Sequence, residues 1–376
     1  MSQSNDKIVF VCLGTRADII KMCPIINELK RFENVKTYVC LSGQHAELAD
    51  TVIKDYKITI DNNFSVMKHG QTLEYLLSIM IEKFASEIKR IKPNIVLVHG
   101  DTSTALAGAI SAQYTETPLA HIEAGLRTYA NTPYPEELHR RLITNCASYF
   151  LCPDEENKKI LISEKINPQN IFVTGNSITD IIYSSLEKDY IFKNERLNTI
   201  NYENDKEVIV TLHRREIKDS EIVLVCDAIK KLAKKNKNIY FIWPVHPSPR
   251  IKNIILKEFS IIHKNLFLLE PLCVRDMHNL IYRASLIITD SGGVQEEAFY
   301  LEKPTLVLRD HTERPFCMDS DKCKILPKDE DLEKEILTML DMASEKTDFS
   351  IKKKLSFRTS ASKKTASKIV AILEEI

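Results

Sequence analysis

Three carboxylates stand where proton transfer would need them. Asp101 follows an apolar run at 95–98, Glu123 follows another at 119–122, and Glu136 comes soon after in Pro135-Glu136-Glu137. Carboxylates gathered at one edge of a sheet repel one another, which raises the proton affinity of some and suits them to exchange protons with a bound molecule. Taken singly, each reads more simply as a helix cap or as the partner of Arg127 or Arg140. Taken together at strand ends, they point to acid–base chemistry.

A second set of residues is suited to anions. Asp290-Ser291-Gly292-Gly293-Val294-Gln295-Glu296-Glu297 follows an apolar run and opens a helical stretch. Glycines admit a phosphate close to the backbone, Ser291 can donate its hydroxyl, and the helix start offers free N–H groups. Glu297, about a turn further on, can accept hydrogen bonds from ribose hydroxyls; the plainer alternative is a capped turn with no ligand. His213-Arg214-Arg215 ends another apolar run, and so much positive charge in one place calls for an anion. Gly14-Thr15-Arg16 leads into a helix holding Lys21. With Gly14 the only glycine before residue 43, this is no dinucleotide fingerprint, and Arg16 reads as a phosphate contact or a surface salt bridge.

The elements that must position these groups are legible as alternating strands and helices. Apolar runs at 8–13, 37–41, 95–98, 119–122 and 171–173 form one strand series. Those at 208–212, 239–243, 266–269, 286–289 and 305–308 form a second. Continuous apolar runs of this length suit parallel strands covered on both faces. The predicted fold is therefore α/β, with two Rossmann-like doubly wound domains facing a cleft. One comprises residues 1–178, with a closing helix at 360–376 whose apolar residues are Ala366, Ile369, Val370 and Leu373. The other comprises 179–359, the polar stretch 184–206 containing or bordering the link. A chain of 376 residues exceeds what one core usually supports. Its 52 basic and 52 acidic residues balance, which argues against nucleic acid or an anionic membrane as partner. The nine cysteines lack metal spacing and several sit in apolar runs, as expected of small core residues in a reducing, cytoplasmic setting. No metal and no cofactor is expected, and no apolar stretch is long enough to span a membrane.

The ordered set of motifs resembles the non-hydrolysing UDP-N-acetylglucosamine 2-epimerases. It runs from Gly14-Thr15-Arg16 through Ser42-Gly43-Gln44-His45, His99-Gly100-Asp101-Thr102-Ser103-Thr104 and His121-Ile122-Glu123-Ala124-Gly125-Leu126-Arg127-Thr128. It continues with Pro135-Glu136-Glu137-Leu138, His213-Arg214-Arg215-Glu216, Pro244-Val245-His246-Pro247, the segment 290–297 and Thr312-Glu313-Arg314-Pro315. The resemblance implies a glycosyltransferase-B type fold, a homodimer, and a UDP-sugar as substrate. It implies a catalytic set of Asp101, Glu123, Glu136 and His213. Arg16, Lys21, Arg140, Arg214, Ser291, Gly292, Gly293, Glu297 and Arg314 would bind substrate. Gln44, His45 and His246 fall where bacterial members bind a second UDP-sugar as activator. Ala17-Asp18 departs from the family's Pro-Glu and takes the form seen in its hydrolysing relatives.

The implied chemistry suits the residues. The carbon 2 hydrogen of a UDP-N-acetylhexosamine has no adjacent carbonyl, but the neighbouring anomeric carbon carries a diphosphate leaving group. Elimination of UDP gives a glycal, and its return with a proton on the other face gives the epimer. The residues alone leave other readings open. These are a hydrolysing 2-epimerase, an epimerase for a modified UDP-N-acetylhexosamine, a glycosyltransferase of the same fold, and a UDP-sugar sensor without catalysis.

Overall fold

The computed structural model describes residues 6–43, 52–67, 70–214, 217–259, 263–309, 312, 314, 317–318, 321–326, 330–342, 350–356 and 360–376. The chain divides into two compact units, Met1–Ile181 with Arg358–Ile376, and Ile182–Phe357.

The first unit is built on seven parallel strands: β1 (Lys7–Leu13), β2 (Val35–Leu41), β3 (Asn62–Asn63), β4 (Ile95–His99), β5 (Leu119–Ile122), β6 (Tyr149–Cys152) and β7 (Ile171–Val173). Their order in the sheet is β3-β2-β1-β4-β5-β6-β7. Parallel neighbours cannot be joined by a tight turn, so each crossover carries chain over a face of the sheet. Consecutive residues Val9, Phe10 and Val11 are all fully buried, which requires cover on both faces. Part of that cover is the helix Ser103–Tyr114, whose small residues let it lie close. A Cβ added at Gly108 would stand 2.8 Å from the sulfur of Cys12.

The second unit repeats the plan with β8 (Lys206–Thr211), β9 (Ile239–Pro244), β10 (Leu266–Leu269), β11 (Leu286–Thr289), β12 (Thr305–Val307) and β13 (Cys323–Ile325). Its sheet, also parallel, runs β10-β9-β8-β11-β12-β13. Trp243, Phe241 and Ile222 lie at the centre of its core. In both sheets the winding direction reverses at one place, between β1 and β4 and between β8 and β11. Such a switch point leaves room for a ligand at the carboxyl ends of the strands.

All ten strands expected from apolar runs are present, with ends moved by at most two residues. Three others had no such signal. β3 is two asparagines and β13 is a half-buried edge strand around Lys324, so neither carries an apolar run. β6 follows closely on the helix Glu136–Cys146, with no glycine or proline between them to mark a new element. The polar stretch between the two strand series hides an aromatic cluster. Arg283 lies 4.9 Å from the ring centre of Phe192 and 4.8 Å from that of Tyr202, and Tyr190 donates to Asp276 at 2.8 Å. Among the described residues, no helix is long and apolar enough to cross a membrane.

The last helix, Ala361–Glu375, buries Ala366, Ile369, Val370 and Leu373 and packs on the helix Arg16–Leu29. Its first turn is held from elsewhere in the chain. Asp180 accepts the backbone N–H of Ser360 at 2.6 Å and that of Ser362 at 2.7 Å, the service a cap residue normally gives its own helix. Replacing Asp180 with Ala is expected to lower stability by about 1 kcal/mol. Amide exchange at 360–364 should quicken in that variant; unchanged protection there would mean that Asp180 does not hold the helix start.

Candidate active site

The turn after β1 is set by the helix it opens. Thr15 caps Arg16–Leu29, and buried Asp18 accepts the N–H groups of Gly14 at 3.1 Å, Thr15 at 2.8 Å and Ile19 at 2.8 Å. Burial pushes the Asp18 carboxyl up to about 7, against hydrogen bonds from Thr15, Gly14 and Ile19. Arg16 is thereby fixed as the first residue of the helix, half-buried at the sheet's carboxyl edge. Lys21, on the same helix, is buried and ion-paired with Glu123.

Glu123 directly follows β5 and adopts a left-handed backbone, φ +65°, which costs a non-glycine residue about 1 kcal/mol. The strain aims its carboxylate at Lys21 and at the amide of Asn176, which donates to it at 3.3 Å. Such outliers gather at sites where geometry matters more than local ease. Gly100, between β4 and Asp101, has φ +63°, and a Cβ there would meet the Glu123 carboxylate at 3.1 Å. Asp101 and Glu123 therefore flank one glycine turn. Asp101 receives Arg140 at 2.6 Å, and Arg140 also donates to buried Glu137 at 2.9 Å. His139 donates from Nδ1 to the Asp101 carbonyl at 2.8 Å. Glu136 opens the helix that carries His139 and Arg140, where the helix dipole favours a negative charge.

Asp101 and Glu123 thus meet at one glycine turn, while Glu136 begins the helix whose Arg140 pairs with Asp101. The simpler alternative holds in part, since Asp101 does pair with Arg140. Arg127 is committed to Glu164 at 2.7 Å instead.

In the second unit, the switch point holds an unforeseen carboxylate. Asp290, after β11, is buried and accepts the backbone N–H of His213 at 2.9 Å and of Arg214 at 2.9 Å. Its other oxygen lies 2.9 Å from His213 Nδ1. Burial works to raise the Asp290 carboxyl, but the His213 imidazole and the two N–H groups outweigh it and hold it below its usual value. With Nδ1 so engaged, His213 keeps Nε2 for another partner. His246, expected in an activator site, lies beside His213 with ring centres 5.8 Å apart.

Ser291 caps the helix Gly292–Tyr300 by accepting from Val294, so its own hydroxyl proton stays available to donate. A Cβ built on Gly293 would meet only the Ser291 hydroxyl, at 3.8 Å, so protein packing does not require glycine there. An anion resting on the helix start would. Glu297 lies in the second turn of that helix. Buried Arg314 stands 3.7 Å from Glu296. Gln44, His45 and Arg215 lie outside the described residues.

Asn176, Glu137, His139 and Asp290 all touch the expected residues yet were not singled out from sequence. Asn176 and Asp290 sit in small-residue turns after strands, Thr174-Gly175-Asn176-Ser177 and Asp290-Ser291-Gly292, a signal like that of Asp101. Glu137 and His139 are helix residues whose sequence context gives no sign of burial. Among the described residues, no group of three or more His, Cys, Asp or Glu side chains is arranged to hold a metal ion.

Comparison with known proteins finds relatives along most of the chain. The family model described as UDP-N-acetylglucosamine 2-epimerase matches residues 27–374. The UDP-N-acetylglucosamine 2-epimerase of Neisseria meningitidis is 37% identical over 323 residues, 85% of this chain and 87% of that protein. That of Bacillus subtilis is 36% identical over 335 residues, 88% of this chain and 87% of its own. A crystal structure of the Neisseria meningitidis UDP-GlcNAc 2-epimerase bound to UDP-GlcNAc has a TM-score of 0.86 at 34% identity, covering 97% of this chain and 100% of that one. The Methanocaldococcus jannaschii UDP-GlcNAc 2-epimerase, in complex with UDP-GlcNAc and UDP, has a TM-score of 0.80 at 29% identity, covering 98% and 100%.

Beneath the carboxylates, His121 donates from Nε2 to the Gly100 carbonyl at 2.8 Å and is fully buried. Burial lowers its pKa from 6.5 to about 4, the bond to Gly100 opposing, so the folded chain keeps it neutral. The unfolded chain takes up a proton near pH 6.5 that the folded chain refuses until about pH 4. Stability is therefore full above 6.5 and falls as pH drops through that window, by on the order of 3 kcal/mol. His121→Gln should flatten this loss in denaturant titrations between pH 7 and 4.5; an equally steep loss would show that another group governs it.

Proposed function

We propose, since the chain belongs to the UDP-N-acetylglucosamine 2-epimerase family, that it interconverts UDP-N-acetylglucosamine and UDP-N-acetylmannosamine without hydrolysing either. The observation that carries this reading is the first unit's carboxylate cluster, in which a strained Glu123 and a paired Asp101 share one turn. A sensor would have no use for several carboxylates set so close, since each adds repulsion without aiding the hold on a diphosphate.

In the proposed reaction, a carboxylate takes the proton from carbon 2. The C–H electron pair becomes the double bond between carbons 1 and 2, and the bond from carbon 1 to the diphosphate oxygen breaks with its electrons on UDP. The reverse sequence on the other face delivers a proton to carbon 2 while the diphosphate oxygen re-forms its bond to carbon 1. Inversion needs one group to remove the proton and a different one to supply it, and Asp101, Glu123 and Glu136 provide that choice. The second unit serves a nucleotide. Ser291, Gly292 and Gly293 receive a phosphate at the helix start. His213, Arg214 and Arg314 answer the charge that grows on UDP as it leaves. Glu297 accepts the ribose hydroxyls. The family likeness also supports a homodimer, and buried thiols such as Cys23 and Cys226, pushed up to about 12 by burial, suit a reducing cytoplasm.

Ala17-Asp18 favours a second reading, hydrolysis to free N-acetylmannosamine and UDP. Incubation with UDP-N-acetylglucosamine and analysis by NMR separates the two. UDP-N-acetylmannosamine in equilibrium with substrate is expected; accumulation of free sugar and UDP would establish hydrolysis. Glu123→Gln, which keeps shape and loses the ionisable group, should cut kcat by about 10²–10⁴. UDP affinity in calorimetry should stay near that of the native enzyme; a variant with native kcat would remove Glu123 from the chemistry.

A further inference from the structure

Helix Val274–Arg283 packs on the helix Gly292–Tyr300, and at their contact stands a histidine that the proposed reaction does not use. His278 is 1% exposed, and its Nε2 lies 3.8 Å from Glu297 Oε1. Among the described residues its Nδ1 has no hydrogen-bond partner. An imidazole is a poor choice for filling apolar space, because a buried ring nitrogen left unmatched opposes folding, and a leucine would pack there without that penalty. What the ring supplies is a polar edge, at a separation longer than a hydrogen bond, beside a carboxylate that is itself only 16% exposed. A carboxylate has about four acceptor sites over its two oxygens, so one oxygen can face His278 while the other faces a ligand.

We infer that His278 is a positioning residue that orients Glu297 toward the ribose hydroxyls and so sets the enzyme's preference for ribonucleotides. The inference rests on the reading of Glu297 as the ribose acceptor. His278 touches no substrate; it fixes which way the carboxylate points. A hydrogen bond to a charged, oriented acceptor discriminates strongly against a ligand lacking the hydroxyl, whereas a carboxylate free to turn would lose most of that advantage. Turnover should hardly depend on it, because ribose contacts are the same before and during bond breaking.

The test is calorimetry with UDP, 2′-deoxy-UDP and 3′-deoxy-UDP, together with steady-state kinetics. The native protein should prefer UDP over at least one analogue. In His278→Leu that preference should shrink by about tenfold, with KM raised and kcat near the native value. His278→Gln, which keeps a polar donor group at the position, should recover part of the preference and confirms through its folding that the position tolerates substitution. An unchanged preference in His278→Leu, or no recovery in a folded His278→Gln, would overturn the role assigned to His278. Glu297→Gln separates the two levels. If it keeps the native preference, the ribose reading of Glu297 fails; if it loses the preference while His278→Leu keeps it, only the positioning role fails.

Discussion

Everything proposed for the first unit depends on two buried cations. Arg140 sits between Asp101 and Glu137, and Lys21 sits on Glu123. Carboxylates gathered at one sheet edge repel one another, and positive charge built in beside them offsets that repulsion. Removing one partner of such a buried pair typically costs about 3–5 kcal/mol, because the other charge is left unmatched. The cations are thus part of the fold as much as of the site. Glu137 shows the coupling most plainly, since it also accepts the backbone N–H groups of Thr128 at 3.0 Å and Tyr129 at 3.2 Å. One carboxylate orients Arg140 and pins the loop that leads to Glu136.

The second unit meets the same constraint with opposite sign. A turn crowded with His213, Arg214 and a helix N-terminus would repel itself, and the buried Asp290 carboxylate answers it by gathering that turn onto the end of β11. Both arrangements occur where the winding of a parallel sheet reverses. The covered faces leave the carboxyl ends of the strands open for chemistry, and Asp101, Glu123, His213, Asp290 and Ser291 all lie in the residue or two after a strand. The sheet topology and the site are therefore one argument.

That link explains what the sequence revealed. Strands buried on both faces, such as β1 and β11, are continuous runs of apolar residues, and the polar residue closing each run marks the sheet edge. Asp101, Glu123, His213 and Ser291 were found this way. β6 lay hidden because nothing breaks the chain between it and the preceding helix. Asn176 and Asp290 carry the same strand-end signal, but nothing local sets them apart from turn and cap residues. Burial of Glu137, His139 and His278 depends on contacts between elements, which no local pattern encodes. The pairing of Lys21 with Glu123 spans 102 positions and is of the same kind.

The central claim is that carbon 2 is inverted through loss and return of UDP, with one carboxylate removing a proton and another delivering one. Because the delivering group refills from water, turnover of UDP-N-acetylglucosamine in heavy water, followed by proton NMR of the UDP-N-acetylmannosamine formed, tests it most directly. The account predicts deuterium at carbon 2 of every product molecule from the first turnover. Product that retains protium at carbon 2 would contradict it.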